Sequence, residues 1–258
     1  ITPPEKCPAC GSPLVKMKGF GTEKLEEEIQ IFFPDATIAR MDLDTTRKKN
    51  SYEQILQDFE ERKIDILVGT QMVTKGLDFE NVGIVGIMSA DNMISYPDFR
   101  SFERSFQQMV QVSGRAGRKG ERGIVIIQRF NPYHQVIRDT IDNDYHSMYL
   151  SQISERRQFK YPPFYRFIKI TIKHPNEENL NEASALFAQN LRGAFGNRVL
   201  GPEYPPVPKI RNNYLKNIIL RFEKDISYAH VKEKVSEIIE FLARQKAFSN
   251  AGISVDVD

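Results

Sequence analysis

The chain has 258 residues, 40% of them hydrophobic and 27% charged, with a formal net charge of +2. That is globular composition, which excludes a disordered chain, and the length suits two domains of about 100–150 residues each. No apolar run approaches the roughly 18 residues a membrane span needs, and two cysteines cannot build a disulfide scaffold.

Periodicity predicts alternating strands and helices over the first half. Leu14–Lys18 reads as a short strand. Thr22–Phe33 reads as a helix with Thr22 as N-cap, acidic early turns and Pro34 beyond its end. Ala36–Met41 is a strand, and Ser51–Arg62 a helix with Tyr52, Ile55, Leu56 and Phe59 on one face. Ile64–Val68 and Val82–Met88 are continuous apolar strands of the kind buried on both faces in parallel sheets. Phe99–Ala116 reads as a helix and Gly123–Phe130 as a returning strand. Such alternation implies β-α-β units and a parallel sheet.

After Asn131-Pro132, His134–Arg157 reads as largely helical and Tyr161-Pro-Pro-Phe164 ends it. Then follow a strand at Phe167–Ile172, a helix at Leu180–Ala194 and a Pro-rich turn region from Gly201 to Pro208. A strand at Tyr214–Phe222, a helix at Ser227–Gln245 and a last strand at Ile253–Val257 complete the pattern, with a further strand expected near Val199 or Ile210. The second half therefore reads as a small α+β domain with a helix-backed sheet.

The strongest chemical signal is Gln111-Val-Ser-Gly114-Arg115-Ala-Gly117-Arg118. The arginine fork clamps phosphate oxygens through paired hydrogen bonds and stays charged at every working pH. Two arginines three apart at a helix end share one face, and Gly114 and Gly117 remove side chains where another surface approaches. A solvated basic helix end is the plain alternative. Upstream, Ile66-Leu-Val-Gly69-Thr70-Gln71-Met-Val-Thr74-Lys75-Gly76-Leu77-Asp78 runs an apolar strand into a turn. Loops at the carboxyl ends of parallel strands are where such sheets bind ligands. Cys7-Pro-Ala-Cys10-Gly11 is half of a tetrahedral zinc site, with disulfide exchange as its rival use. The sequence contains neither a G-x-x-x-x-G-K-[ST] loop nor an Asp-Glu pair.

The second half interleaves cations with rings, at Arg156, Arg157, Lys160, Tyr161, Phe164, Tyr165 and Arg166, and again at Lys209, Arg211, Tyr214 and Lys216. Cations for phosphates and rings for stacking suit a nucleic-acid surface, and a solvated face with core rings is the alternative. On the later strand, Leu215, Asn217 and Ile219 are expected to pack on the helices and to leave Lys216 toward solvent. The four histidines share no ligand spacing, and Asp42 and Asp44 are expected to cap a loop.

The Gln111–Arg118 and Gly69–Asp78 runs resemble motifs VI and V of superfamily 2 helicases. Gly19-Phe-Gly21-Thr22-Glu23, Arg40-Met-Asp42-Leu-Asp44-Thr45-Thr46, Gly69-Thr-Gln-Met72 and the ending Val255-Asp-Val-Asp258 resemble the primosomal protein N′ family of replication-restart helicases. The resemblance implies a remnant of a zinc-binding module at 1–18, an α/β RecA-like second helicase lobe with a parallel sheet at 19–156, and an α+β DNA-binding domain at 157–258. It implies an ATP-dependent 3′-to-5′ DNA helicase acting at stalled forks, with Walker parts in a first lobe outside this sequence, so that this chain alone is inactive.

By the same resemblance Arg118 is the arginine finger, Arg115 holds phosphate oxygens or links hydrolysis to lobe closure, and Gln111 orients the helix across the cleft. Gly76 and Asp78 lie at the nucleotide, and Thr70, Gln71, Lys75, Arg211, Tyr214 and Lys216 at DNA. Cys7 and Cys10 hold Zn²⁺ in the intact parent, and ATP with Mg²⁺ is the cofactor. Branched and single-stranded DNA, primosome proteins and single-stranded DNA-binding protein are the implied partners, with no membrane. The chain begins at Ile1 with no signal peptide ahead of it and reads as an excised part of a cytoplasmic, nucleoid-associated protein. A different superfamily 2 helicase and a nonenzymatic nucleic-acid-binding module are the rival readings.

Overall fold

A computed structural model describes residues 21–42, 45, 51–70, 81–118, 121–245, 248 and 250–257. The chain divides into two compact units, one of Ile1–Ala90 with Gln107–Pro132, the other of Asp91–Phe106 with Tyr133–Asp258. The expected strand at Leu14–Lys18 lies outside the described residues.

In the first unit, α1 (Thr22–Phe32) leads to β1 (Ile38–Met41), α2 (Ser51–Glu60) and β2 (Ile66–Gly69). β1 and β2 pair in parallel, with Met41 opposite Gly69. β3 (Asn81–Val82) and β4 (Ile84–Ile87) follow, then α3 (Ala90–Ile94) and α4 (Ser101–Ser113), which pass through the second unit and return. β5 (Gly117–Arg118), β6 (Glu121–Arg122) and β7 (Ile124–Ile127) close the unit. β4 and β7 are parallel, whereas β3, β5 and β6 form an antiparallel ribbon.

Three expectations change here. Thr22 is the first helical residue rather than the N-cap. Gly21 occupies the cap without a side-chain bond, and the Thr22 hydroxyl donates instead to Asp42 Oδ2 at 2.6 Å. Val82–Met88 splits into β3 and β4, joined to different partners. The apolar strands are not buried on both faces: side chains alternate along a strand, and Ile84, Ile124 and Ile126 are each more than half exposed.

In the second unit, α5 (Gln135–Ile141) and α6 (Tyr145–Gln158) replace the single helical stretch expected at His134–Arg157. The chain breaks at Asn143, which has φ 53, and Asp144 then caps α6 through Ser147 N at 2.9 Å. β8 (Tyr165–His174), α7 (Glu177–Phe195), β9 (Val199–Glu203), β10 (Lys209–Ile210), β11 (Asn213–Glu223), α8 (Tyr228–Ala243) and β12 (Gly252–Val257) form the helix-backed sheet. Its order is β10-β11-β8-β12, with β9 also on β11, and every pairing is antiparallel. One further strand is expected near Val199 or Ile210, and there are two, β9 and β10.

The core lies on one face of this sheet. Ile168, Ile170 and Ile172 of β8 and Ile218, Leu220 and Phe222 of β11 are almost fully buried against Phe187 of α7 and Leu242 of α8. Each such side chain contributes about 1.5–3 kcal/mol of burial.

Candidate functional site

Parallel pairing of β1 with β2 brings the carboxyl ends of both strands to one edge. Asp42 follows Met41 there and Thr70 follows Gly69. Asp42 is a structural anchor: its carboxylate accepts from Thr22 and from Thr45 N at 2.9 Å and pairs with Arg40 at 3.2 Å. This is the loop-capping role its sequence position suggests, and Asp44 lies outside the described residues. Thr70 is exposed. Gln71, Lys75, Gly76 and Asp78 lie outside the described residues, as do Cys7 and Cys10.

α4 carries Gln111 exposed on its last turn. The helix then tightens, with Gly114 N donating to Val110 O at 2.9 Å, Arg115 N to Val112 O at 3.0 Å and Ala116 N to Ser113 O at 3.1 Å. Arg115 is half-buried in this turn, and Arg118 already belongs to β5, opposite Asn81 and Glu121. Arg115 and Arg118 therefore do not share a helical face, because the helix stops at Ser113 before either residue.

Glycine is demanded at one of the two places the sequence suggests, Gly117, and at one it does not, Gly123. Gly114 has only its own helix's carbonyls near, at 3.5 and 3.6 Å, and would accept a methyl group. Gly117 has φ 142, a conformation that L side chains rarely adopt. A Cβ on Gly123 would overlap the Ala116 carbonyl carbon and Gly117 N. Gly123 is thus a residue that sequence reasoning missed. Its only signal is an isolated glycine just ahead of an apolar strand.

In the second unit most cations of the first basic cluster lie over rings. Tyr161 stacks on Phe99 at 5.0 Å, and both rings meet Phe167 edge-on, at 5.6 and 5.8 Å. Arg156 lies over Phe99 at 5.1 Å and pairs with Glu103. Arg157 covers Phe164 at 4.9 Å, Lys160 lies 5.9 Å from the Tyr165 ring and Arg166 lies 5.7 Å from that of Tyr228. The Tyr161–Phe164 turn packs the start of α4, the end of α6 and β8 together.

The second cluster is a hairpin. Lys209 opposes Tyr214 and Ile210 opposes Asn213, which leaves exposed Arg211 at the tip with φ 54. Lys209 covers the Tyr214 ring at 4.1 Å. Lys216 corrects the sequence reading. It shares the face of Ile218, Leu220 and Phe222, which is the buried one, and its ammonium lies 4.7 Å from the Tyr204 ring. Tyr204 donates to Glu177 at 2.8 Å, which holds its phenol above the usual pKa. Leu215, Asn217 and Ile219 take the other face.

Among the described residues no group of three or more His, Cys, Asp or Glu side chains could hold a metal ion, and no helix is long and apolar enough to cross a membrane.

The first unit is mixed α/β with parallel strand pairs, and the second carries a helix-backed antiparallel sheet. The family matches give the class: the helicase conserved C-terminal domain, a RecA-like second lobe, matches residues 19–120, and the primosomal protein N C-terminal domain matches residues 157–258. The replication restart protein PriA of Bacillus subtilis (strain 168) is 37% identical over 257 residues, covering 99% of this chain and 32% of that protein. Its counterpart in Synechocystis is 34% identical over 258 residues, covering 99% and 30%, and that of Treponema pallidum 40% over 222 residues, covering 85% and 34%. The chain belongs to the PriA family and matches its C-terminal part. It spans about a third of the length of these relatives.

Proposed function

We propose that this chain supplies the charge-stabilising arginines and part of the DNA grip of an ATP-driven, 3′-to-5′ DNA helicase acting in replication restart at stalled forks. The observation that carries the reading is the passage of α4 into β5. Gly117 and Gly123 let two backbone segments close on each other there, and Arg115 and Arg118 sit in the resulting turn and strand. Guanidinium forks match phosphate oxygens, so these residues suit the phosphates of ATP, while Mg²⁺ would need oxygen ligands from elsewhere. The bound nucleotide supplies the phosphoanhydride whose hydrolysis drives strand separation. Arg118 stabilises charge on the γ-phosphate, Arg115 holds phosphate oxygens and Gln111 orients the helix end. Gly76 and Asp78 belong to the nucleotide side. Thr70, Gln71 and Lys75 touch the DNA backbone, joined by Arg211 and Tyr214 on the hairpin.

The thiolates of Cys7 and Cys10 contribute to a zinc module of the parent, and primosome proteins and single-stranded DNA-binding protein are its partners in the bacterial cytoplasm. The 258-residue chain alone is expected to hydrolyse no ATP above background, with or without forked DNA. A longer protein that also carries a Walker A loop should hydrolyse it in a DNA-dependent way. DNA-stimulated turnover by the short chain, measured as phosphate release, would contradict this division of labour.

A further inference from the structure

The end of α6, the start of β8, the end of β11 and the 3₁₀ turn Gly196–Arg198 border an open hollow of about 480 Å³. Its charged lining is Lys160, Arg198, Arg221 and Glu223. Glu223 is already engaged by Arg198 at 2.8 Å, and that bond, aided by the charge of Lys160, holds its carboxyl below the ordinary carboxylate range. Arg221 donates from Nη1 to the carbonyl of Phe159 at 3.0 Å, which fixes its fork while leaving its other donors available. Cations thus outnumber the carboxylate three to one, and two of them are held in place before any ligand arrives.

Lys160 carries the more telling feature. α6 ends in a Schellman motif: Tyr161 N donates to Arg156 O at 2.8 Å and Lys160 N to Arg157 O at 3.4 Å. Lys160 therefore occupies the left-handed position, at φ 58, that glycine fills most easily. A lysine there lowers stability relative to glycine and places an ammonium at the rim of the hollow. An unfavourable backbone position held by a charged residue at a cavity is a pointer to use.

We infer that the Lys160–Arg198–Arg221 hollow binds a phosphate of a nucleic-acid backbone, with the Tyr165 ring beside it as a flat wall. The hollow is in the size range of small-ligand sites and is larger than one carboxylate needs. The Arg221 fork and the Lys160 ammonium, with Arg198 shared between the anion and Glu223, read charge and not bases, so recognition is independent of base sequence. The inference rests on the reading that the C-terminal domain grips DNA and names a place for that grip outside the β10–β11 hairpin.

The test uses the full 258-residue chain and a short fluorescent oligothymidylate, titrated at several salt concentrations. Lys160→Gly should keep or raise the melting temperature while weakening binding about tenfold, and Arg221→Gln should weaken it by a similar factor. Each should flatten the slope of log K against log salt by about 0.7. Glu223→Gln, which releases Arg198, should strengthen binding by up to about fivefold. If the unaltered chain binds the oligonucleotide and neither cation variant changes affinity or slope, the site is wrong and the DNA reading stands. If the unaltered chain binds no oligonucleotide, the DNA reading of the domain fails. Preferential, Lys160-dependent binding of a polyglutamate peptide would also overturn the inference.

Discussion

Arg211 sits at the tip of the β10–β11 hairpin in water, whereas Lys216 lays its ammonium against Tyr204 on the core side of β11. The two cations should therefore contribute unequally to DNA binding. Arg211→Gly keeps a residue suited to positive φ and removes one charge. It should lower the salt slope on single-stranded DNA by about 0.7, while Lys216→Ala leaves the slope unchanged. Equal slopes for both variants, read by fluorescence anisotropy, would contradict the placement. Gly123→Ala belongs to the same scale. A methyl group there must push the Ala116–Gly117 backbone aside, and with it the turn that carries Arg115. In the longer protein it should cut ATP turnover at least about tenfold, the scale of a misplaced reacting group, while circular dichroism stays native. Wild-type turnover would show that the turn is not under geometric demand.

At the scale of elements, the rings of Phe99, Tyr161 and Phe167 tie the chain before α4 to the end of α6 and to β8. Phe99→Ala should destabilise this unit by about 1–3 kcal/mol, less than a fully buried phenylalanine, because Phe99 is half-buried. A denaturant midpoint unmoved by the substitution would refute the tie.

Most elements of the helix-backed sheet are legible in the sequence because β8 and β11 are long and strongly apolar and their helices amphipathic. The face of β11 is misread when only Leu215 to Ile219 is weighed, because Leu215 and Ile219 share a parity there. Over Asn217-Ile-Ile-Leu-Arg-Phe222 every even position is apolar while Asn217 and Arg221 are polar, so the longer run already points to the face that is buried. The split of α5 from α6 is hidden for a different reason. Asn143 makes the turn at positive φ without a glycine or proline to announce it. The Gln111–Arg118 run is visible in the sequence as a set of residue types at fixed spacing. Its geometry is not, because the end of α4 depends on hydrogen bonds in the turn, and the demand for Gly123 arises from a backbone contact across the ribbon.

For the whole molecule, two compact units carry two matched domains, and their borders differ from a simple cut in the sequence. Residues 91–106 and 133–156 group with the C-terminal unit, although the matched C-terminal domain begins at 157. One helix, α4, contributes its first half to that unit and its second half to the unit that bears Arg115 and Arg118. On the proposed reading Arg118 completes an ATP site together with a Walker lobe. The decisive measurement is the DNA-stimulated ATP turnover of a PriA-family protein that holds both lobes, with Arg118→Ala. Turnover should fall by roughly 10³-fold or more with the unfolding midpoint unchanged. Turnover close to that of the unaltered protein would contradict that reading.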